Sequence, residues 1–158
     1  MNRMLSFIAV SVFSIFLGSQ ITEGCLLVPF WKSLSKTDFY EYYARFGPII
    51  GRFYTVLTII AVCIPITLSM YCFRKKTSAL KTALTSTFFS LLVIVVFYVY
   101  FKPTNTQFYE AVFNSDQLKI VLQDWENWHW LRVFFECMSL LFLIISFHVL
   151  QHQNNVSK

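Results

Sequence analysis

The sequence predicts an all-α fold, a four-transmembrane-helix bundle forming a single integral membrane domain over residues 1–158. Three observations carry that reading. Only 13% of the residues are charged, where a soluble domain has about a quarter. More than half, 56%, are hydrophobic, and the mean hydropathy is +0.57. Four apolar runs, over residues 5–31, 48–73, 82–101 and 128–150, are each as long as the roughly 20 residues that cross a bilayer. The net charge of +5 does not gather into a soluble basic face, so the bilayer, not nucleic acid, is the expected partner.

The first run, Leu5 to Trp31, follows Met1-Asn2-Arg3, which gives it the outline of a signal peptide. No small-x-small cleavage site follows, and apolar character resumes at Cys25-Leu26-Leu27-Val28, so it reads as a span. Between lies Gly18 to Gly24, small and polar, the composition that lets membrane helices approach and bond. Gln20 and Glu23, three apart, share a face there. Lys32 to Gly47, with Asp38-Phe39-Tyr40-Glu41-Tyr42-Tyr43, reads as a loop with a short interfacial helix capped by Asp38.

Pro48 suits the first turn of span two, Arg52 lies one turn inside it, and Pro65 predicts a kink. Span three, from Thr82, ends in Val-Phe-Tyr-Val-Tyr-Phe and then Lys102-Pro103-Thr104-Asn105. Gln107 to Asp124 predicts a second interfacial helix, and span four runs from Trp128 to Leu150, followed by a polar tail. Arg74, Lys75, Lys76 and Lys81 crowd the short connection between spans two and three. By the positive-inside rule that connection is cytoplasmic, which puts both termini there too. Cys25, Cys63, Cys72 and Cys137 form no CxxC pair and read as small buried hydrophobes, although a Cys25–Cys137 bridge near one face is conceivable.

The chemistry gathers at the start of span four. At about 100° per residue, Trp125, His129, Arg132 and Glu136 fall within an arc of about 60°. Ionisable groups in a membrane face a bundle interior or a wet cavity. Counting about 1.5 Å of rise per residue brings Glu23, Arg52, Arg132 and Glu136 into the outer half, with His129 nearer the mouth. Asn105 and Trp125 edge the opening. Two readings follow: a site for a lipophilic small molecule, or carboxylates and guanidinia that neutralise each other as Arg132–Glu136 and Arg52–Glu23 and fix the helix register. His129 and Glu136 lie two turns apart and the two Arg are close, so no metal site is assigned. His148 and His152 read as an exposed interfacial pair. No phosphate loop, HExxH, GxSxG or EF-hand pattern is present. With four Gly and no filter-like loop, channel function would require a homo-oligomer.

The order of these features resembles the anthrone oxygenase-like four-helix membrane proteins, most of which carry only an unknown-function label. The resemblance rests on Gly18 to Pro29, on Phe46-Gly47-Pro48, on Pro103-Thr104-Asn105, and on Trp125-Glu126-Asn127-Trp128-His129-Trp130-Leu131-Arg132. The family typically shows Pro-x-Asn after its third span and a Trp-x-x-Trp-Asn-x-x-Arg-like opening to its fourth. Here His129 stands where Asn is common. The resemblance implies four spans and, from the characterised fungal members, oxidation of an anthrone to an anthraquinone by dioxygen without metal or flavin. The positions carried over are Asn105, Trp125, His129 and Arg132; Glu23, Arg52 and Glu136 come from the physical reading.

A cofactor-independent oxygenase on a lipophilic anthrone- or quinol-like aromatic is therefore the expected function. His129 or Glu136 would be the base. Arg132 and Arg52 would hold the oxyanion, and Trp125, Trp128 and Trp130 would offer a stacking wall. The alternative is a non-enzymatic membrane protein that binds a lipid, a hydrophobic ligand or a partner protein.

Overall fold

The computed structural model describes residues 3–156, with side chains as far as Gln153. Among these residues all regular structure is helical. α1 (Arg3–Thr22) passes through a π-turn (Glu23–Leu27) into α2 (Val28–Ser33). α3 (Lys36–Lys75) is one helix of 40 residues. α4 (Leu80–Val96), a second π-turn (Phe97–Phe101) and α5 (Lys102–Tyr109) form the third rod, and α6 (Ser115–Val156) the fourth. By length and composition all four rods are able to cross a membrane. Met1 and Asn2, where the signal-peptide outline begins, and Ser157 and Lys158 of the tail lie outside the described residues.

The two stretches expected as separate interfacial helices are helical but not separate. Lys36 to Gly47 is the start of α3 itself. The cap is Ser35, whose Oγ accepts from the Asp38 amide at 3.2 Å, so Asp38 occupies the third helical position, not the cap. Pro48 lies inside the helix. Gly47 before it has no Cβ to meet the proline ring, which removes part of the usual restriction on that residue. Likewise, Gln107 to Asp124 divides between α5 and the first turns of α6. Asn114 caps α6, its Oδ1 accepting from the amides of Asp116 and Gln117 at 3.1 and 2.9 Å. The 40 residues of α3 make a rod of about 60 Å, against about 30 Å of hydrocarbon. α3 and α6 therefore project well beyond one end of the spans. That end, rich in Phe, Tyr and Trp, is the aromatic end of the bundle; the other, with the Arg74–Lys81 connection, is the basic end.

Buried apolar residues form two clusters. At the basic end Phe13, Phe16, Leu68, Cys72, Leu143 and Phe147 pack together. Towards the aromatic end Trp31, Phe39, Tyr43, Phe101, Phe108 and Trp125 do so. Along α1 and α6 the buried Gln20, His129, Arg132 and Glu136 fall between these clusters. α4 meets α6 most extensively, through small residues. Ser86 Oγ donates to the Ser139 carbonyl at 2.7 Å, and Ser139 Oγ donates to the Ser86 carbonyl at 2.9 Å. Such reciprocal bonds need close backbones, which Ser permits. Among the described residues all four cysteines are free. Cys72 is buried as expected, but Cys25, Cys63 and Cys137 are exposed on the outside of the bundle. Their helices are amphipathic only weakly, because both surfaces of a membrane helix are apolar.

Two turns end helices with non-glycine residues in the left-handed region: Lys76 at φ 51° and Ala111 at φ 52°. The amides of Lys76 and Thr77 bond the carbonyls of Phe73 and Cys72, and those of Ala111 and Val112 bond Phe108 and Gln107. Both are Schellman motifs, in which glycine is the preferred residue. Replacing Lys76 or Ala111 by Gly should raise the midpoint of chemical unfolding in detergent, each by about 1 kcal/mol of stability. The substitution Ser78→Gly, beside the first turn but at a residue without positive φ, is the control and should give no such gain.

Candidate functional site

Between the two apolar clusters, α6 presents His129, Arg132 and Glu136 on one face, and α1 with its π-turn presents Gln20 and Glu23 against them. All five are buried, and His129 and Glu136 have no exposed surface. Arg132 is the hub. Its Nη2 donates to Glu23 Oε2 at 3.0 Å, to His129 Nδ1 at 2.7 Å and to Gln20 Oε1. Two hydrogens thus serve three acceptors, while Nε of the same guanidinium is buried without a partner. The guanidinium carbon lies 4.4 Å from the centroid of the Phe101 ring, a cation–π contact delivered by the second π-turn.

Hydrogen-bond roles fix the state of His129. Its Nε2 lies 2.9 Å from the Gln20 carbonyl oxygen, which only accepts. Its Nδ1 faces Arg132, which only donates. The consistent form is the neutral imidazole with its proton on Nε2. Both ring nitrogens are then engaged, and the ring stacks on Trp125 at 5.2 Å and 12°. Gly24 makes room for this ring: a Cβ there would stand 2.9 Å from His129 Cδ2 and Nε2 and from Trp130 Cζ2.

A cavity of about 240 Å³ opens beside the hub. Glu23 and Arg132 form its polar wall. Trp31, Tyr43, Tyr54, Phe101 and Trp125 line it, with Asn105 and Tyr109 towards the aromatic end. Trp125 Nε1 donates to Asn105 Oδ1 at 3.2 Å, which orients the amide. Thr55 and Ile59 of α3 and Tyr98 of the third rod also line it and are themselves exposed. The cavity therefore has a side opening between the second and third rods, where a membrane would place lipid. Its size exceeds the roughly 150 Å³ that holds benzene in a protein interior.

Of the residues read from the sequence, Glu23, Arg132, Asn105 and Trp125 meet at this cavity. His129 lies behind Arg132, fully buried and not at a mouth. Glu136 lies one turn further along α6, does not line the cavity, and has both carboxyl oxygens buried without a partner. Trp128 stacks on Tyr100 at 5.1 Å, away from the lining. Arg52 is exposed, its Nε donating to the Pro48 carbonyl of its own helix. The expected Arg52–Glu23 and Arg132–Glu136 pairs are replaced by an Arg132–Glu23 pair, with Nδ1 of the neutral His129 3.7 Å from the same Glu23 oxygen. The signal that excludes Arg52 was present in the sequence: Gly47, Gly51, Tyr54 and Thr58 recur at helical spacing and form the inward face of α3. Arg52 follows Gly51 by one residue, about 100° around the helix. Tyr43, Tyr54, Phe101 and Tyr109 were not singled out, because aromatic residues are too common in this chain for any one to stand out.

Among the described residues no group of three or more His, Cys, Asp or Glu lies close enough to hold a metal ion. Comparison with family models, with curated proteins and with solved structures found no match.

Gly24→Ala should lower stability by about 1–3 kcal/mol, because the His129 ring it would strike is held at both nitrogens. Tryptophan emission should shift with it, since Trp125 and Trp130 flank that ring. Gly18→Ala, where nothing lies within 4 Å of the added Cβ, should leave both measurements unchanged or improve stability. Equal effects at the two positions would remove the packing role given to Gly24.

Proposed function

We propose that this chain is a multi-pass membrane protein that admits a flat lipophilic aromatic molecule from the bilayer to the cavity beside Arg132, where it reacts with dioxygen. The observation that carries the reading is the cavity itself: aromatic walls, one carboxylate and one guanidinium, and a side opening between two spans. Asn105, Trp125 and Arg132, three of the four positions behind the resemblance to anthrone oxygenase-like proteins, line it. The basic connection from Arg74 to Lys81 faces the cytoplasm in this reading, and the aromatic end faces the opposite side.

The residues divide the work differently from the sequence expectation. Glu23, which lines the cavity and is bonded through Oε2 alone, takes the proton from the activated C–H or O–H of the ring. Arg132 then holds the oxyanion through donors that its present partners do not use. His129, with both nitrogens engaged, positions Arg132 instead of acting as the base. In the anthrone case one dioxygen supplies the new carbonyl oxygen and one water. The two methylene hydrogens leave in that water, and the substrate anion is the reductant.

A second reading, binding without turnover, is favoured by the closed Arg132–Glu23 pair, which is already neutral without a ligand. Purified protein in nanodiscs, given anthrone under air with an oxygen electrode and absorbance detection, separates the two. The proposal expects anthraquinone formation with equimolar oxygen uptake, slowed about 100-fold in Glu23→Gln and in Arg132→Gln. Quenching of tryptophan emission by anthrone without oxygen uptake supports the binding reading; neither signal overturns both.

A further inference from the structure

Glu136 is not used by the reading above, and its surroundings are unusual. Both carboxyl oxygens are buried without a hydrogen-bond partner, in a residue with no exposed surface. The charged and titratable groups of this layer can be counted. On α6 itself stand Arg132, one turn back, and His129, neutral by its bonds. The first π-turn brings Glu23, already paired with Arg132 at 3.0 Å. α3 brings the Tyr54 hydroxyl, which donates to the Ser19 carbonyl at 3.1 Å. At this level α4 brings hydroxyls, Ser86 and Ser90 among them; its one charged residue, Lys81, stands in its first turn at the basic end, and Cys137, next to Glu136 on α6, is exposed. The layer therefore holds one guanidinium and two carboxyls.

A dry interior tolerates a charge only when it is paired. Glu23 neutralises Arg132, so nothing remains to neutralise Glu136. Yet Arg132 keeps an unpartnered, buried Nε on the same helix, four residues before Glu136, the spacing at which helix side chains meet. Arg132 thus has two alternative carboxyl partners and one charge to share.

We propose that the layer stores one proton, carried by Glu136 while Arg132 is paired with Glu23 and passed to Glu23 when Arg132 turns to Glu136. Glu136 is then a proton-exchange residue coupled to the cavity through Arg132. This rests on the charge count and the unpaired atoms, not on any substrate or on oxygenation.

Infrared spectroscopy tests it on the full chain at neutral pH, in a detergent without carbonyl groups. A protonated carboxyl gives a C=O stretch that shifts in deuterium oxide and that an ionised carboxylate lacks. Of the other six acidic residues five are exposed, and Glu126 is paired with Lys32 at 2.7 Å; the loss of the band in Glu136→Gln is what assigns it to Glu136. The wild type should show one such band. Glu136→Gln should abolish it and leave the unfolding midpoint nearly unchanged, since Gln copies a neutral carboxyl. Glu23→Gln should also abolish it, because Glu136 then ionises to pair with Arg132. Arg132→Gln should double its area, with both carboxyls protonated. A wild type with no band overturns the proposal, as does a band that survives Glu136→Gln. A band that persists in Glu23→Gln overturns the sharing between the two carboxyls. Because no ligand is added, these outcomes do not depend on whether the cavity binds an aromatic.

Discussion

The structure depends on one buried contact, Arg132 with Glu23. Breaking such a pair by removing one partner typically costs about 3–5 kcal/mol, comparable with the whole stability of many domains. The contact fixes α6 against the first rod in depth and in rotation, since a slip of one residue on either would leave a charge facing apolar side chains. Gln20 and His129 fasten the same guanidinium, so several bonds at one level hold the register of α6. The two apolar clusters on either side are then free to be generic. Phe13, Leu68 and Phe147 fill one, and Trp31, Phe39 and Phe108 the other. Apolar packing against lipid gives little preference between protein and tail contacts; the polar layer supplies the preference.

The aromatic end follows from helix length. α3 and α6 overshoot the hydrocarbon, so their projecting turns must bury apolar residues against each other and not against lipid. Phe39 and Tyr43 of α3 meet Phe108 of α5 at 5.1 and 5.2 Å between ring centroids. The Tyr40 hydroxyl donates to the Phe113 carbonyl and accepts from the Phe113 amide, both at 3.1 Å. This pins the turn between α5 and α6 to the side of α3. The cavity sits directly beneath, roofed by Tyr43 and Tyr109 over Gly47, where a Cβ would stand 3.0 Å from the Tyr109 hydroxyl.

The four rods were legible because a bilayer imposes a length and a composition that few other environments do. The polar face of α6 was legible for the same reason: His129, Arg132 and Glu136 are conspicuous where nearly all else is apolar. Partner choice was not legible. Depth counted along a helix places Arg52 near Glu23, but rotation decides which helix face a residue occupies, and Arg52 is on the wrong one. The continuity of α3 through Pro48 was hidden by a rule that is right more often than not, that proline near an interface begins a helix. The π-turns left no local sign, because their residues, Glu-Gly-Cys-Leu-Leu and Phe-Tyr-Val-Tyr-Phe, suit an α-helix equally well.

Those two π-turns explain why the hub is where it is. A π-turn inserts an extra residue into a helix and turns the residues beyond it by about 100° relative to those before. The first begins at Glu23, which pairs with Arg132, and includes Gly24, which accommodates His129. The second ends at Phe101, whose ring lies against the Arg132 guanidinium. Both irregularities thus fall at the level of one side chain and hold it between a carboxylate and an aromatic ring. They also let each rod serve two faces. α1 packs Phe13 and Phe16 into one cluster before its turn, and α2 packs Val28 and Trp31 into the other after it. A uniform helix would have carried one apolar stripe through both clusters and left no break in phase for the polar layer, the cavity and the opening beside it.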